Sequence, residues 1–179
     1  MSDPFLGLDI VFNGCIYNYR ELRSDLEEEG YHFFSEGDTE VILKAYHAWG
    51  MDCVSKLNGM FAFVIFERDS DRRIMARDRL GIKPLYPDDR DEFLRFASSL
   101  PVLLVSEGID TDINLITMHH YLHWHAVVPA LDRILKGMTK LPTATIRMLE
   151  PDSLFKEMNV IGLEKEYQLI RTSPKSKPS

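Results

Sequence analysis

Two spacings of apolar residues alternate along the chain. Leu8 to Phe12 is a short apolar run ending at Asn13-Gly14, which predicts a strand that meets a turn. Tyr19 to Glu29 carries Leu22 and Leu26 at helical spacing, with Gly30 where a C-terminal cap glycine belongs. Tyr31 to Phe34 reads as a short aromatic strand. Val41, Ile42, Ala45, Tyr46 and Trp49 keep a helical period, Asp38 is placed to cap that helix, and Gly50 closes it. Met51 to Leu57 predicts a further short helix. Met60 to Phe66 is almost continuously apolar, so it predicts a strand buried on both faces.

Beyond that strand the pattern shortens. Glu67 to Arg72 is a charged turn and Arg73 to Arg77 a returning strand. Lys83 to Tyr86 and Leu94 to Ala97 predict a strand pair around the polar loop Pro87 to Glu92. Leu100 to Val105 and Asn114 to Leu122 predict helices, the second capped by Asp112 or Asn114, and Thr145 to Leu149 a last strand. From Pro151 the pattern weakens. Residues 151–179 read as a divergent tail, polar and disordered from Thr172 onward. Short turns between strands argue for antiparallel pairing with helices on a face, an α+β layer fold.

Composition narrows the partners. With 179 residues the chain is one domain, or one domain with a tail, and a 45% hydrophobic share fits a folded globule. A net charge of −7 argues against nucleic acid. No apolar run is long enough to span a bilayer, so a cytoplasmic protein is the default expectation, with Cys15 and Cys53 as reduced thiols.

Four segments carry the candidate chemistry: Ile10 to Tyr19, Glu36 to Glu40, Leu57 to Phe63, and Ala76 to Tyr86 with its Arg77-Asp78-Arg79-Leu80-Gly81-Ile82-Lys83-Pro84 core. In this order and spacing they resemble the glutamine-hydrolysing domain of asparagine synthetase-like class II amidotransferases. The resemblance covers Leu8 to Leu149, so residues 1–150 are expected to be a partial domain of that family. The implied fold is a partial four-layer αββα sandwich with antiparallel sheets, of the N-terminal-nucleophile type. Asn-Gly-Cys at 13–15, Ser99 in Phe96 to Pro101, and His125 to Ala130 look most like the branch that amidates an N-acetylated glutaminylglutamine dipeptide.

Hydrolysing a glutamine amide requires a nucleophile, donors for the developing oxyanion, and groups that hold the amino-acid end. The resemblance gives the oxyanion role to the Asn13 side chain and the Gly14 N–H. Read alone, the same dipeptide is an ordinary hairpin turn. Asp38 is implied to bind the substrate's α-ammonium group, and as a bare residue it is a helix N-cap. Cys15 stands where related synthetases carry Glu beside the glutamine site, and no base in its neighbourhood marks it as a nucleophile. Arg77 to Pro84 reads as a structural turn, and Asn58-Gly59 as a bend before the core strand.

His119, His120, His123 and His125 crowd into seven residues. His119 and His123 would share a helix face and could bind a metal, which leaves a metal-binding module as a third reading of the chain. With no carboxylate or cysteine in the cluster, and with Tyr121 and Trp124 beside it, the expectation is a helix end packed on the body. No metal site is assigned.

Family enzymes begin with the nucleophilic cysteine, whereas this sequence begins Met1-Ser2-Asp3-Pro4. The expectation is an N-terminally truncated domain with no nucleophile, inactive alone, marginally stable or self-associating. Ser2 could replace the nucleophile only by occupying its place. The Ser-Gly-Gly-x-Asp-Ser loop of the ATP-using synthetase domain does not occur, so ATP and magnesium belong to the complete family enzyme. The expected partners are glutamine, the synthetase domain and a second copy of the chain. The alternative is a non-catalytic remnant that binds glutamine or another protein.

Overall fold

The structure, a computed structural model, describes residues 1–88, 94–105, 110–123, 135, 140–151, 154–161 and 164–171. In chain order its elements are β1 (Ser2–Asp3), β2 (Leu8–Ile16), α1 (Tyr19–Glu28), α2 (Asp38–Trp49), α3 (Cys53–Lys56), β3 (Gly59–Glu67), β4 (Arg73–Arg77), β5 (Tyr86–Asp88), β6 (Arg95–Ala97), α4 (Leu100–Leu104), α5 (Leu115–His123), β7 (Thr145–Leu149), β8 (Leu154–Ile161) and β9 (Glu164–Arg171). They divide into two units, Met1–Lys83 with Thr143–Ser179, and Pro84–Pro142.

The first unit is one antiparallel sheet in the order β1-β2-β3-β4-β7-β8-β9, with helices on one face. This is the expected α+β class. β3 lies between β2 and β4, which explains its unbroken apolar run. Phe61, Phe63 and Ile65 point to the helices, Ala62 and Val64 to the opposite face, and all five are buried. Leu22 and Leu26 of α1 and Val41, Ile42 and Ala45 of α2 join Ile10, Phe63, Ile65 and Ile74 in a single core. Each of the leucine, valine, isoleucine and phenylalanine side chains contributes about 1.5–3 kcal/mol by leaving water. Gly30 ends α1 as expected: its N–H donates to Glu27 O and that of Tyr31 to Leu26 O, the paired bonds of a left-handed helix stop.

Four expectations need correction. Asn13-Gly14 is no turn: β2 runs straight through it to Ile16, because β3 pairs with all nine of its residues. Tyr31 to Phe34 is no strand, since the N–H of Phe34 goes to the Glu40 carboxylate instead of a neighbouring chain. Asp38 is the first residue of α2 and Gly37 its N-cap, with no side-chain cap bond. In the tail, 154–161 and 164–171 form a hairpin that extends the sheet from β7. Residues 172–179 lie outside the described residues.

In the second unit β5 pairs with β6, and β5 begins three residues and ends two residues later than the Lys83 to Tyr86 reading placed it. Leu103 of α4 packs with Ala97, Tyr86, Leu100 and Leu135. The Asn114 carboxamide accepts the N–H groups of Ile116 and Thr117, so Asn114 rather than Asp112 caps α5.

Candidate functional site

Alternate residues of a strand send their backbone groups to opposite edges. In β2, Ile10 exchanges bonds with Met1, its N–H donating to Met1 O at 2.8 Å and its carbonyl accepting the Met1 amine at 2.9 Å. Ile10 therefore faces the outer edge, away from β3. Ile16 does the same, its N–H donating to Asp38 Oδ2 at 3.0 Å. Gly14 lies between them at the same parity. Its partner across the ladder, Phe61, turns its own N–H and carbonyl toward Asp78. The Gly14 N–H thus leaves the outer edge, where it meets no acceptor among the described residues.

Gly14 also fits nothing larger. A Cβ there would sit 2.2 Å from Met60 O and 2.7 Å from Phe61 Cα. Asn13 and Cys15 point to the sheet face opposite the helices, and both are exposed, as is Val11. Asp38 is half-buried, and its Oδ1 has no partner among the described residues. The structure therefore brings Asn13, Gly14, Cys15 and Asp38 to one end of β2. It offers there an open N–H and an open carboxylate oxygen on a single edge.

A buried network holds Asp38 in place. Two residues along α2, the Glu40 carboxylate accepts the N–H groups of Phe34 and Ser35 and the Ser35 hydroxyl. It pairs with Lys44 at 2.9 Å, and Lys44 pairs with Asp3 at 3.2 Å. Burial pushes the Glu40 carboxyl up, but the bonds from Ser35, Phe34 and Lys44 outweigh it and leave it below its ordinary value. The Asn18 side chain fastens the other side of the site, donating to Lys56 O and accepting the Asn58 N–H. Sequence reading missed this frame. Its one legible signal was a Glu40–Lys44 pair, four residues apart, inside an apolar helix.

Asp78 organises the Arg77 to Pro84 turn. Its buried carboxylate accepts the N–H groups of Phe61, Leu80, Ile82 and Lys83. The Arg77 guanidinium donates to Lys83 O at 2.8 Å. Of the cysteines, Cys15 is exposed, while burial pushes the Cys53 thiol up to about 12, so it is inert. A cavity of about 300 Å³ lined by Leu6, Leu8, Tyr46, His47 and Glu67 lies at the far end of β2 and contains none of the sequence-predicted site residues.

His119, His120 and His123 lie on α5, and His125 lies outside the described residues. Among the described residues no three histidine, cysteine or acidic side chains are grouped to hold a metal.

The model of a family described as the glutamine amidotransferase domain matches residues 1–158. A glutamine-hydrolyzing asparagine synthetase 1 of Bacillus subtilis (strain 168) is 42% identical over 118 residues, covering 66% of this chain and 18% of its own length. Synthetase 3 of the same organism is 36% identical over 105 residues, covering 59% and 17%. The chain thus spans about a fifth of the length of these relatives. The solved structure of an allosteric regulatory enzyme of purine biosynthesis superposes with a TM-score of 0.56 at 18% identity, over 87% of this chain and 29% of that one. This last likeness concerns the fold alone.

Proposed function

Because this chain belongs to the glutamine amidotransferase domain family, we propose that it binds glutamine along the outer edge of β2. The side-chain amide would sit at Asn13 and Gly14, with its carbonyl oxygen on the Gly14 N–H and the Asn13 carboxamide. The α-ammonium group would sit on Asp38 Oδ1. The observation that carries this reading is the shared edge. Gly14 and Ile16 present their N–H groups to the same side, and Asp38 is anchored to the second of them. Two residues of antiparallel strand separate those groups by roughly 7 Å, a span that an extended glutamine bridges.

The chemistry of the site is electrostatic. A tetrahedral intermediate at the amide carbon places negative charge on oxygen, and a preorganised N–H stabilises it without reorganisation. Gly14 is held rigidly by the ladder and by its close contact with β3. In this reading Asn13, Gly14 and Asp38 bind glutamine and polarise its amide, and the nucleophile is assigned to none of the described residues. Ser2 pairs with Asp9, five residues and on the order of 17 Å along β2 from Gly14. The Cys15 thiol leaves the sheet face and has no hydrogen-bond partner among the described residues. In a complete family enzyme the released ammonia would amidate a carboxylate in an ATP- and magnesium-using synthetase domain. From Cys15, Ser99 and the His125 to Ala130 segment, we read that acceptor as an N-acetylated dipeptide.

Titration of the 15N-labelled chain with L-glutamine tests the site. The Gly14 and Ile16 amide resonances are expected to move together and saturate. Movement confined to other residues, or none, overturns the assignment. A second reading, a non-catalytic interaction module, is favoured by the exposed Val11, Asn13 and Cys15 face. Its partner would be a synthetase domain or a second copy. Concentration-dependent mass in ultracentrifugation, with no glutamine-induced shifts, would select it.

A further inference from the structure

Asp38 follows directly on the loop Phe33 to Gly37, so the loop decides where its carboxylate points. One residue of that loop, Ser35, is pinned from two helices. Its N–H and its hydroxyl both donate to Glu40 Oε2 of α2, each at 2.7 Å. Its carbonyl accepts Arg23 Nη1 of α1 at 2.8 Å, and the same nitrogen lies 3.3 Å from Glu36 Oε2.

Arg23 is built into this place. Leu22 and Leu26 turn to the core, and Arg23 stands at the margin of the face they define. Its Nε donates to Glu27 Oε1 at 2.9 Å, and its guanidinium lies 4.5 Å from the centroid of the Phe33 ring. Only 19% of the side chain is exposed, although it carries a charge on a surface helix. Arg23 thus touches Phe33, Ser35 and Glu36 of the loop.

The two grips on Ser35 differ in what they fix. The backbone bond to Glu40 holds its N–H side. Arg23 holds its carbonyl side, from which the chain runs through Glu36 and Gly37 to Asp38. Gly37 has no side chain to restrain it. Without Arg23, nothing on that path fixes the approach to Asp38 except the Ile16 N–H on Oδ2.

Resting on the reading of Asp38 as the ammonium partner, we propose that Arg23 is a positioning residue for glutamine. It sets the direction in which Asp38 presents Oδ1 along the edge of β2. Arg23 acts through the loop and takes no ligand contact in the pose above. The Glu27 and Glu36 carboxylates balance its charge, so it does not set a bare cation against the ligand's ammonium group. A carboxylate ordered in advance spares binding the cost of ordering it, a saving worth about two- to tenfold in affinity.

The test titrates the full 15N-labelled chain with L-glutamine and with glutaramate, which is glutamine without the α-amine, following the Gly14 amide. Arg23→Ala is expected to weaken L-glutamine about two- to tenfold and to leave the affinity for glutaramate unchanged. Arg23→Lys, which keeps a donor for the Ser35 carbonyl, should recover part of that loss. Relaxation of the ligand-free Arg23→Ala sample should show more motion at the Gly37 and Asp38 amides, with Ile10 and Phe63 as rigid as in the parent. A role confined to stability would weaken both ligands equally. Equal weakening, unchanged L-glutamine affinity, unchanged motion at Gly37 and Asp38, or Arg23→Lys no better than Arg23→Ala would overturn the positioning role. Asp38→Ala, run beside them, separates the two claims. If it binds L-glutamine like the parent, the site reading fails and the role of Arg23 with it. If it loses binding while Arg23→Ala binds like the parent, the role of Arg23 alone fails.

Discussion

Asp38 and Ile16, 22 residues apart in sequence, are joined by one hydrogen bond: Asp38 Oδ2 accepts the Ile16 N–H at 3.0 Å. This bond fixes which oxygen remains open. It also fixes the start of α2 against the end of β2, so the carboxylate and the Gly14 N–H share an edge. A carboxylate used as a helix cap would have turned inward to its own first turn. Here it reaches out to a strand.

Gly14 has little tolerance for a side chain. Gly14→Ala would drive a Cβ into Met60 O and Phe61 Cα. Forcing β2 from β3 is expected to cost about 1–3 kcal/mol, read as a lower urea midpoint. A variant as stable as the parent would show that the strands separate easily.

Lys44 neutralises two buried carboxylates, those of Asp3 and Glu40. Lys44→Met leaves both without their cation, with an expected loss of about 3–5 kcal/mol. The residue lies more than a turn from Asp38, so glutamine affinity should weaken only as far as the Phe33 to Gly37 loop loosens. Denaturant melts and calorimetry on the same sample separate the two effects.

Asp78 is the acceptor for the backbone N–H groups of Phe61, Leu80, Ile82 and Lys83. Asp78→Ala strands those donors, and a loss of about 3 kcal/mol or more is expected. Asp78→Asn, which keeps one acceptor oxygen, should fall between. Equal thermal midpoints for parent and Ala variant would contradict the hub.

Asp9 and Arg68 form a two-bond ion pair at 2.7 and 2.6 Å. The Arg68 hydrogen bonds, with a further one from Ser2, hold the Asp9 carboxyl down at about 2, from an unfolded value of 3.8. A folded pKa below the unfolded one stabilises the fold above pH ~4, and this contribution is lost as pH falls toward ~2. The pair is partly exposed, so its worth is about 0.2–1 kcal/mol. Asp9→Asn should destabilise at pH 7 and be neutral near pH 2. A constant difference across that range would contradict the linkage.

Periodicity carried most of the first unit. α1, α2 and β3 each have a face or a run that only one environment satisfies, and they appear where the apolar spacing puts them. Asn13-Gly14 misled because a dipeptide has no means of announcing that a nine-residue partner strand will hold it extended. Tyr31 to Phe34 looked like a strand because aromatic residues fit strands, yet the N–H groups of Phe34 and the following Ser35 were claimed by Glu40. The hairpin at 154–171 was hidden by mixed polar composition. Candidate site residues were legible as a motif. Their common edge was not, because it depends on strand parity and on an Asp38–Ile16 contact between distant segments.

The most direct measurement is calorimetric titration of the chain with L-glutamine, beside Asp38→Ala and beside a glutamine analogue lacking the α-amine. The account predicts one saturable site in the parent, lost in Asp38→Ala while the fold is retained. It also predicts that the analogue binds far more weakly to the parent than glutamine does. Unchanged glutamine affinity in Asp38→Ala, or equal affinity for the analogue, would contradict it.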